Sequence, residues 1–152
     1  MTALIIAALL TNGILSGLSL DKVIVQLPAR RRIGPVNYAA YARAADLGNG
    51  IALYAAAGIG AAVLTIAAFV YALIAGASTA TTAWFGVAAV LSVLHSAATA
   101  VAAPAMVRIG RAPDTERALA PLLTRFALAS GVRAVLQVAT LAAVLAVVAV
   151  NL

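Results

Sequence analysis

Residues Phe126–Val150 read FALASGVRAVLQVATLAAVLAVVAV, and Arg133 is the one charged side chain among them. About 20 apolar residues, rising ~1.5 Å each as a helix, cross a hydrocarbon layer ~30 Å thick. This run is long enough to do so, and three others match it: Ala3–Leu27, Leu47–Ala75 and Ala83–Val107. The first of these carries Asp21 and Lys22 near its end, and the other two hold no Asp, Glu, Lys or Arg. Composition agrees, since 65% of the 152 residues are hydrophobic and 9% are charged. An ordinary globular domain has about 25% charged residues. The pattern predicts an all-α integral membrane four-helix bundle, a single domain over residues 1–152, with spans near 3–27, 47–75, 83–107 and 126–150.

The absence of cysteine excludes disulfide, thiolate and cysteine-ligated cluster chemistry. The apolar N-terminal run lacks a basic leader, so it reads as a span and not as a cleavable signal. Orientation follows from the connections. Pro28–Asp46 carries Arg30, Arg31, Arg32 and Arg43, and Arg108–Arg125 carries Arg108, Arg111, Arg117 and Arg125. Gly76–Thr82 carries no charge. Basic connections stay in the cytoplasm, which puts both termini outside, in a plasma or bacterial inner membrane. The net charge of +6 is then a topology signal that also attracts anionic lipid. No basic soluble module exists to bind nucleic acid. Tyr71 and Trp84 are expected at the outer interface, and Tyr38 and Tyr41 at the inner one.

Each span carries one polar stripe at helical spacing. Asn12, Ser16 and Ser19 stand at i, i+4 and i+7, with Gln26 a further heptad on. Asp46, Asn49, Gly50 and Tyr54 form the second set, Ser92, His95, Ser96 and Thr99 the third, and Arg133, Gln137 and Thr140 the fourth. Polar groups in lipid turn toward the bundle interior or a wet cavity, so the stripes are expected to converge there. Arg133, His95 and Asp46 are the candidate catalytic residues. A fixed Arg133 charge would stabilise an oxyanion, with Asp46 its expected ion partner, and His95 or Asp46 would take a proton. Asn12, Ser16, Asn49, Tyr54, Ser92 and Gln137 are the candidate ligand-binding residues. The Gly13 and Gly17 pair makes a GxxxG that packs helices, within one chain or in a homodimer. One histidine, no cysteine and few carboxylates make no metal sphere, and no nucleotide-binding fingerprint is present. No cofactor is expected.

An internal echo supports two parallel helical-hairpin repeats. Pro28-Ala29-Arg30-Arg31-Arg32-Ile33-Gly34 matches Pro104-Ala105-Met106-Val107-Arg108-Ile109-Gly110 at five of seven positions, 76 residues later. Asp114 is the expected N-cap before the fourth span, and Pro104 is expected to loosen the third.

The segments LTNGILSGLSLDK (Leu10–Lys22), Leu27-Pro28-Ala29-Arg30, Tyr38-Ala39-Ala40-Tyr41 and Asp46-Leu47-Gly48-Asn49-Gly50, with Tyr54, resemble the anthrone-oxygenase-like family of small membrane proteins. The resemblance covers roughly the first 60 residues. It implies four membrane helices and, from its fungal members, oxidation of polycyclic anthrones without a recognised metal or flavin. No catalytic residue set carries over. Two function classes follow: a pocket for a lipophilic small molecule, in its enzymatic form a cofactor-independent oxygenase for phenolic or anthrone-like compounds, and a non-enzymatic transporter or accessory subunit whose polar core is structural.

Overall fold

The computed structural model describes residues 1–151, which are all-helical with short connections and no strand. Five α-helices follow in order: α1 (Thr2–Leu20), α2 (Leu27–Ala44), α3 (Gly50–Ile74), α4 (Thr79–Arg111) and α5 (Glu116–Ala149). π-helical segments Asp21–Gln26 and Ala45–Asn49 join α1 to α2 and α2 to α3. The result is three helical stretches long and apolar enough to cross a membrane: a bent one over Thr2–Ile74, then Thr79–Arg111 and Glu116–Ala149.

The first stretch bends because of its glycines. Gly34 has φ 81° and ψ 162°, a region essentially closed to residues with a Cβ. Pro35 follows and has no N–H to continue the ladder. At Gly48 ψ swings to −119°. Two residues on, Gly50 has room for hydrogen alone, since a Cβ there would sit 2.6 Å from the Ala45 carbonyl oxygen. The basic connection expected over Pro28–Asp46 is therefore largely helical.

The chain doubles back through this bend, and α1 packs against α3. Helix α3 also packs against α4, α4 against α5, and α5 against α1, closing a ring. The backbones of α1 and α4, and those of α3 and α5, do not approach closely, so these pairs stand on its diagonals.

Side chains are distributed inside-out relative to a water-soluble bundle. On α1 the buried residues are Ala8, Asn12, Leu15, Ser16 and Ser19, a single stripe, while Ile6, Leu10 and Ile14 are exposed. Ile74, Leu128, Val101 and Val135 are at least 70% exposed, whereas Thr65, Gln137 and Thr140 are buried. Larger side chains gather at the basic end, where Leu27, Tyr38, Met106, Ile109, Leu119, Leu123 and Phe126 form a core. Toward the other end the core thins to alanine, valine and Phe85.

Several local expectations change. Tyr38 is buried in the basic-end core, while Tyr41 is exposed. Thr115, not Asp114, caps α5, its hydroxyl accepting from the Ala118 N–H. Asp114 instead accepts from Arg43 at 2.6 Å. Arg43 also donates to the Ile109 and Ala112 carbonyls at the end of α4, tying α2 to the α4–α5 connection. A cation is favoured there by the helix dipole. Helix α4 runs on through Pro104. Gly13 and Gly17 have open space where a Cβ would stand, so neither packs a helix within this chain.

Candidate functional site

The polar stripes meet, but they split into two layers with different chemistry. In the first, α1, α3 and α5 are laced together. Asn12 Nδ2 donates to Thr65 Oγ1 at 2.8 Å, and Gln137 Nε2 donates to Asn12 Oδ1 at 2.9 Å. Ser16 Oγ donates to the Gln137 carbonyl at 3.3 Å, and Thr65 Oγ1 donates to Ala61. All four residues are buried. A buried network satisfied in this way needs no ligand and holds helices in register.

The second layer lies toward the basic end and is built on the two π-helical segments. A π turn inserts a residue and re-aims what it carries, and such turns recur at functional sites. Lys22 sits in one and Asp46 in the other. They meet with Nζ to Oδ1 at 2.6 Å, the side chains only 10% and 5% exposed. Lys22 also donates to Gln26, which donates to Asp21. The Tyr54 hydroxyl donates to Asp46 Oδ1 at 3.4 Å, and Lys22 Nζ lies 5.5 Å from the Tyr54 ring centroid. The ion partner expected for Asp46 was Arg133; Lys22 holds that place.

A cavity of about 240 Å³ opens beside this pair. Its wall is largely apolar, with Leu15, Met106 and Phe126 among its residues, and its polar members are Ser19, Lys22, Asp46, Tyr54, Thr99, Ser130 and Arg133. Three residues of this wall each have a buried polar atom without a hydrogen-bond partner: Asp46 Oδ2, Ser130 Oγ and Arg133 Nε. Arg133 enters no ion pair among the described residues. Ile51 on α3 and Val107 on α4 also line the cavity while exposed on the outer surface, so it reaches that surface beside the α3–α4 seam.

The other expected site residues lie elsewhere. His95 is buried outside the cavity wall, with Nδ1 3.1 Å from the Arg133 carbonyl oxygen. A carbonyl only accepts, so that bond needs the proton on Nδ1. Ser92 is buried on α4 away from the cavity, and Asn12, Ser16 and Gln137 belong to the bonded layer. Asn49 is exposed. It precedes Tyr54 by five residues, about 140° around a helix. Thr65, Ser130 and Lys22 are the residues that spacing could have supplied. Thr65 follows Tyr54 by three turns, Ser130 extends the Arg133 stripe back by one, and Lys22 is i+3 from Ser19.

In the basic-end core, burial pushes the Tyr38 phenol well above its ordinary range, and the negative charge of Asp46 adds to this. Exposed Tyr41 is raised by the same two causes. Among the described residues no three His, Cys, Asp or Glu side chains gather closely enough to hold a metal ion.

Comparison of this chain with family models, with curated proteins and with solved structures finds no match.

Proposed function

We propose that this chain is an integral membrane protein with four spans, α1, α3, α4 and α5, whose cavity binds a lipophilic small molecule drawn from the bilayer. The observation that carries this reading is that three residues lining one largely apolar cavity, Asp46, Ser130 and Arg133, each hold a buried polar atom with no hydrogen-bond partner. Buried polar groups are nearly always bonded, and each exception calls for a partner such as water or a bound group; Arg30, Tyr38 and Arg43 hold the other three, off the cavity wall. The inside-out surface supports membrane insertion, and the positive-inside rule places α2 and the α4–α5 connection in the cytoplasm. The exposed rim residues Ile51 and Val107 support entry from the hydrocarbon. The ring order supports two parallel hairpin repeats, with α1 related to α4 and α3 to α5 across the diagonals.

A phenol suits the site. Its hydroxyl would donate to Asp46 Oδ2, and Arg133 would stabilise the oxyanion left when Asp46 takes the proton. In the enzymatic form of the reading, that phenolate or enolate is the electron-rich species that dioxygen from solution oxidises in an anthrone-type oxygenation, one oxygen atom entering the product and the other leaving as water. His95, outside the cavity wall, has no part in it. A through-channel is disfavoured, because the bonded Asn12–Thr65–Gln137 layer lies directly beyond the cavity.

The test is native mass spectrometry of protein purified from lipid, comparing wild type with Arg133→Ala and Asp46→Ala. A small molecule carried by wild type and lost from both variants supports the pocket. A wild type that stays empty, and binds none of a panel of added phenols, would favour a structural polar core in a non-enzymatic subunit.

A further inference from the structure

The charges around the cavity do not cancel. Four side chains on its wall bear ionisable groups: Lys22, Asp46, Tyr54 and Arg133. Lys22 and Asp46 neutralise each other at 2.6 Å. The remaining carboxylate nearby, Asp21, is exposed and accepts from Gln26. A guanidinium is not deprotonated in proteins, so Arg133 leaves one positive charge that no acidic side chain balances. Arg133 is half-buried, and holding such a charge without a partner as it leaves water is costly. Beside it the buried Ser130 hydroxyl has no partner. A planar guanidinium matches the two oxygens of a carboxylate better than any single-point acceptor.

From this charge count, and resting on the pocket reading above, we infer that the lipophilic ligand carries one carboxylate, seated on Arg133 and Ser130, in addition to any phenolic hydroxyl at Asp46, with its body against the apolar wall. Size narrows it further. A cavity of ~150 Å³ accommodates benzene, and by that ratio 240 Å³ takes about ten heavy atoms. One substituted ring, or a chain of similar bulk, fills it, and anything larger protrudes through the mouth beside α3 and α4.

The experiment uses an isosteric pair, 4-fluorobenzoate and 4-fluorobenzamide, added to the full chain in nanodiscs of zwitterionic lipid. Binding is read by fluorine NMR and corrected with empty nanodiscs. Wild type should bind the benzoate at least tenfold more tightly than the amide, about 1.4 kcal/mol. Arg133→Gln should erase that preference, Arg133→Lys should keep much of it, and Ser130→Ala should reduce it. Equal affinity of wild type for the two probes would overturn the inference while leaving the pocket standing. So would a preference that survives in Arg133→Gln. Saturable binding of neither probe, at any concentration the nanodiscs tolerate, would overturn the inference, and the panel of added phenols would then decide the pocket reading separately. The wild-type comparison decides even where Arg133→Gln does not fold, and Arg133→Lys and Ser130→Ala then carry the assignment.

Discussion

Replacing Lys22 with methionine removes the ammonium and keeps most of the stem, which isolates the charge. The pair it breaks is short and dry: 2.6 Å, with side chains 10% and 5% exposed. At an effective dielectric of ~20, two unit charges at that separation attract by about 6 kcal/mol. Desolvation of the two ions offsets much of this, so the intact pair adds little net stability. The asymmetry appears when one partner goes. Asp46 would remain buried with Oδ2 already unpartnered, and its one other bond, from Tyr54, is a long 3.4 Å.

Lys22→Met is therefore expected to destabilise by about 3–5 kcal/mol. For a chain of this length, at ~2–4 °C per kcal/mol, the midpoint would fall by about 6–20 °C. Asp46→Leu alone, stranding the ammonium, should cost a similar amount. The double variant Lys22→Met/Asp46→Leu should recover to within about 1 kcal/mol of wild type, because no unpaired charge is left behind. Thermal unfolding of all four forms in one detergent, followed by far-ultraviolet circular dichroism, completes the cycle. A loss below about 1 kcal/mol in both single variants would refute the reasoning. So would a double variant no more stable than the worse single one.

Three further outcomes are expected. Asn12→Ala removes the side-chain bonds to Gln137 and Thr65, leaving Gln137 on the residue-12 carbonyl and Thr65 on Ala61, so it should cost about 1–3 kcal/mol in the same melt; because Asn12 is off the cavity wall, benzoate affinity should stay within about twofold. Gly34→Ala forces a Cβ into φ 81° and should cost about 1–3 kcal/mol, whereas Gly17→Ala, in open space, should be neutral or stabilise by up to ~1 kcal/mol; a large loss from the latter would instead reveal a partner on that face. The raised Tyr38 phenol gives a sign for alkaline pH. Below about pH 10 both folded and unfolded chains hold the proton, and above it the unfolded chain releases its proton first. Stability should therefore fall as pH rises past about 10, less steeply in Tyr38→Phe, as checked by melts across that range.

Hydropathy and periodicity located the helices and turned their polar faces inward, because both depend only on residue type and spacing along a regular helix. Asn12, Ser16, Ser92, His95 and Gln137 are buried as that logic expects. What spacing cannot give is the pairing. Asn12 and Gln137 satisfy each other, so two apparent ligand contacts become a cross-brace. Lys22 and Asp46 face one another from π-helical segments, and no pattern built on 3.6 residues per turn anticipates an inserted residue. The arginine-rich segment has low hydropathy and reads as a loop, yet α2 is helical because its apolar residues, Tyr38, Ala39 and Ala42, are buried at the basic end of the bundle.

The internal echo bears on the site through the places where it fails. At the 76-residue offset Ser16 answers Ser92, Ser19 answers His95, and Tyr54 answers Ser130. Tyr54 and Ser130 lie on diagonal helices, α3 and α5, and line the same cavity. Arg32 answers Arg108, but the charged residues of the cavity wall have no such counterparts. Lys22 falls opposite Ala98, Asp46 opposite Leu122, and Arg133 opposite Ala57. A purely scaffolding polar core would gain equally from both copies, since each interhelical polar contact contributes only about 0.6 kcal/mol on average. One lysine, one aspartate and one arginine placed without echo around a single cavity at the diagonal crossing follow a different demand. That demand is better met by an asymmetric ligand than by the packing of two similar hairpins.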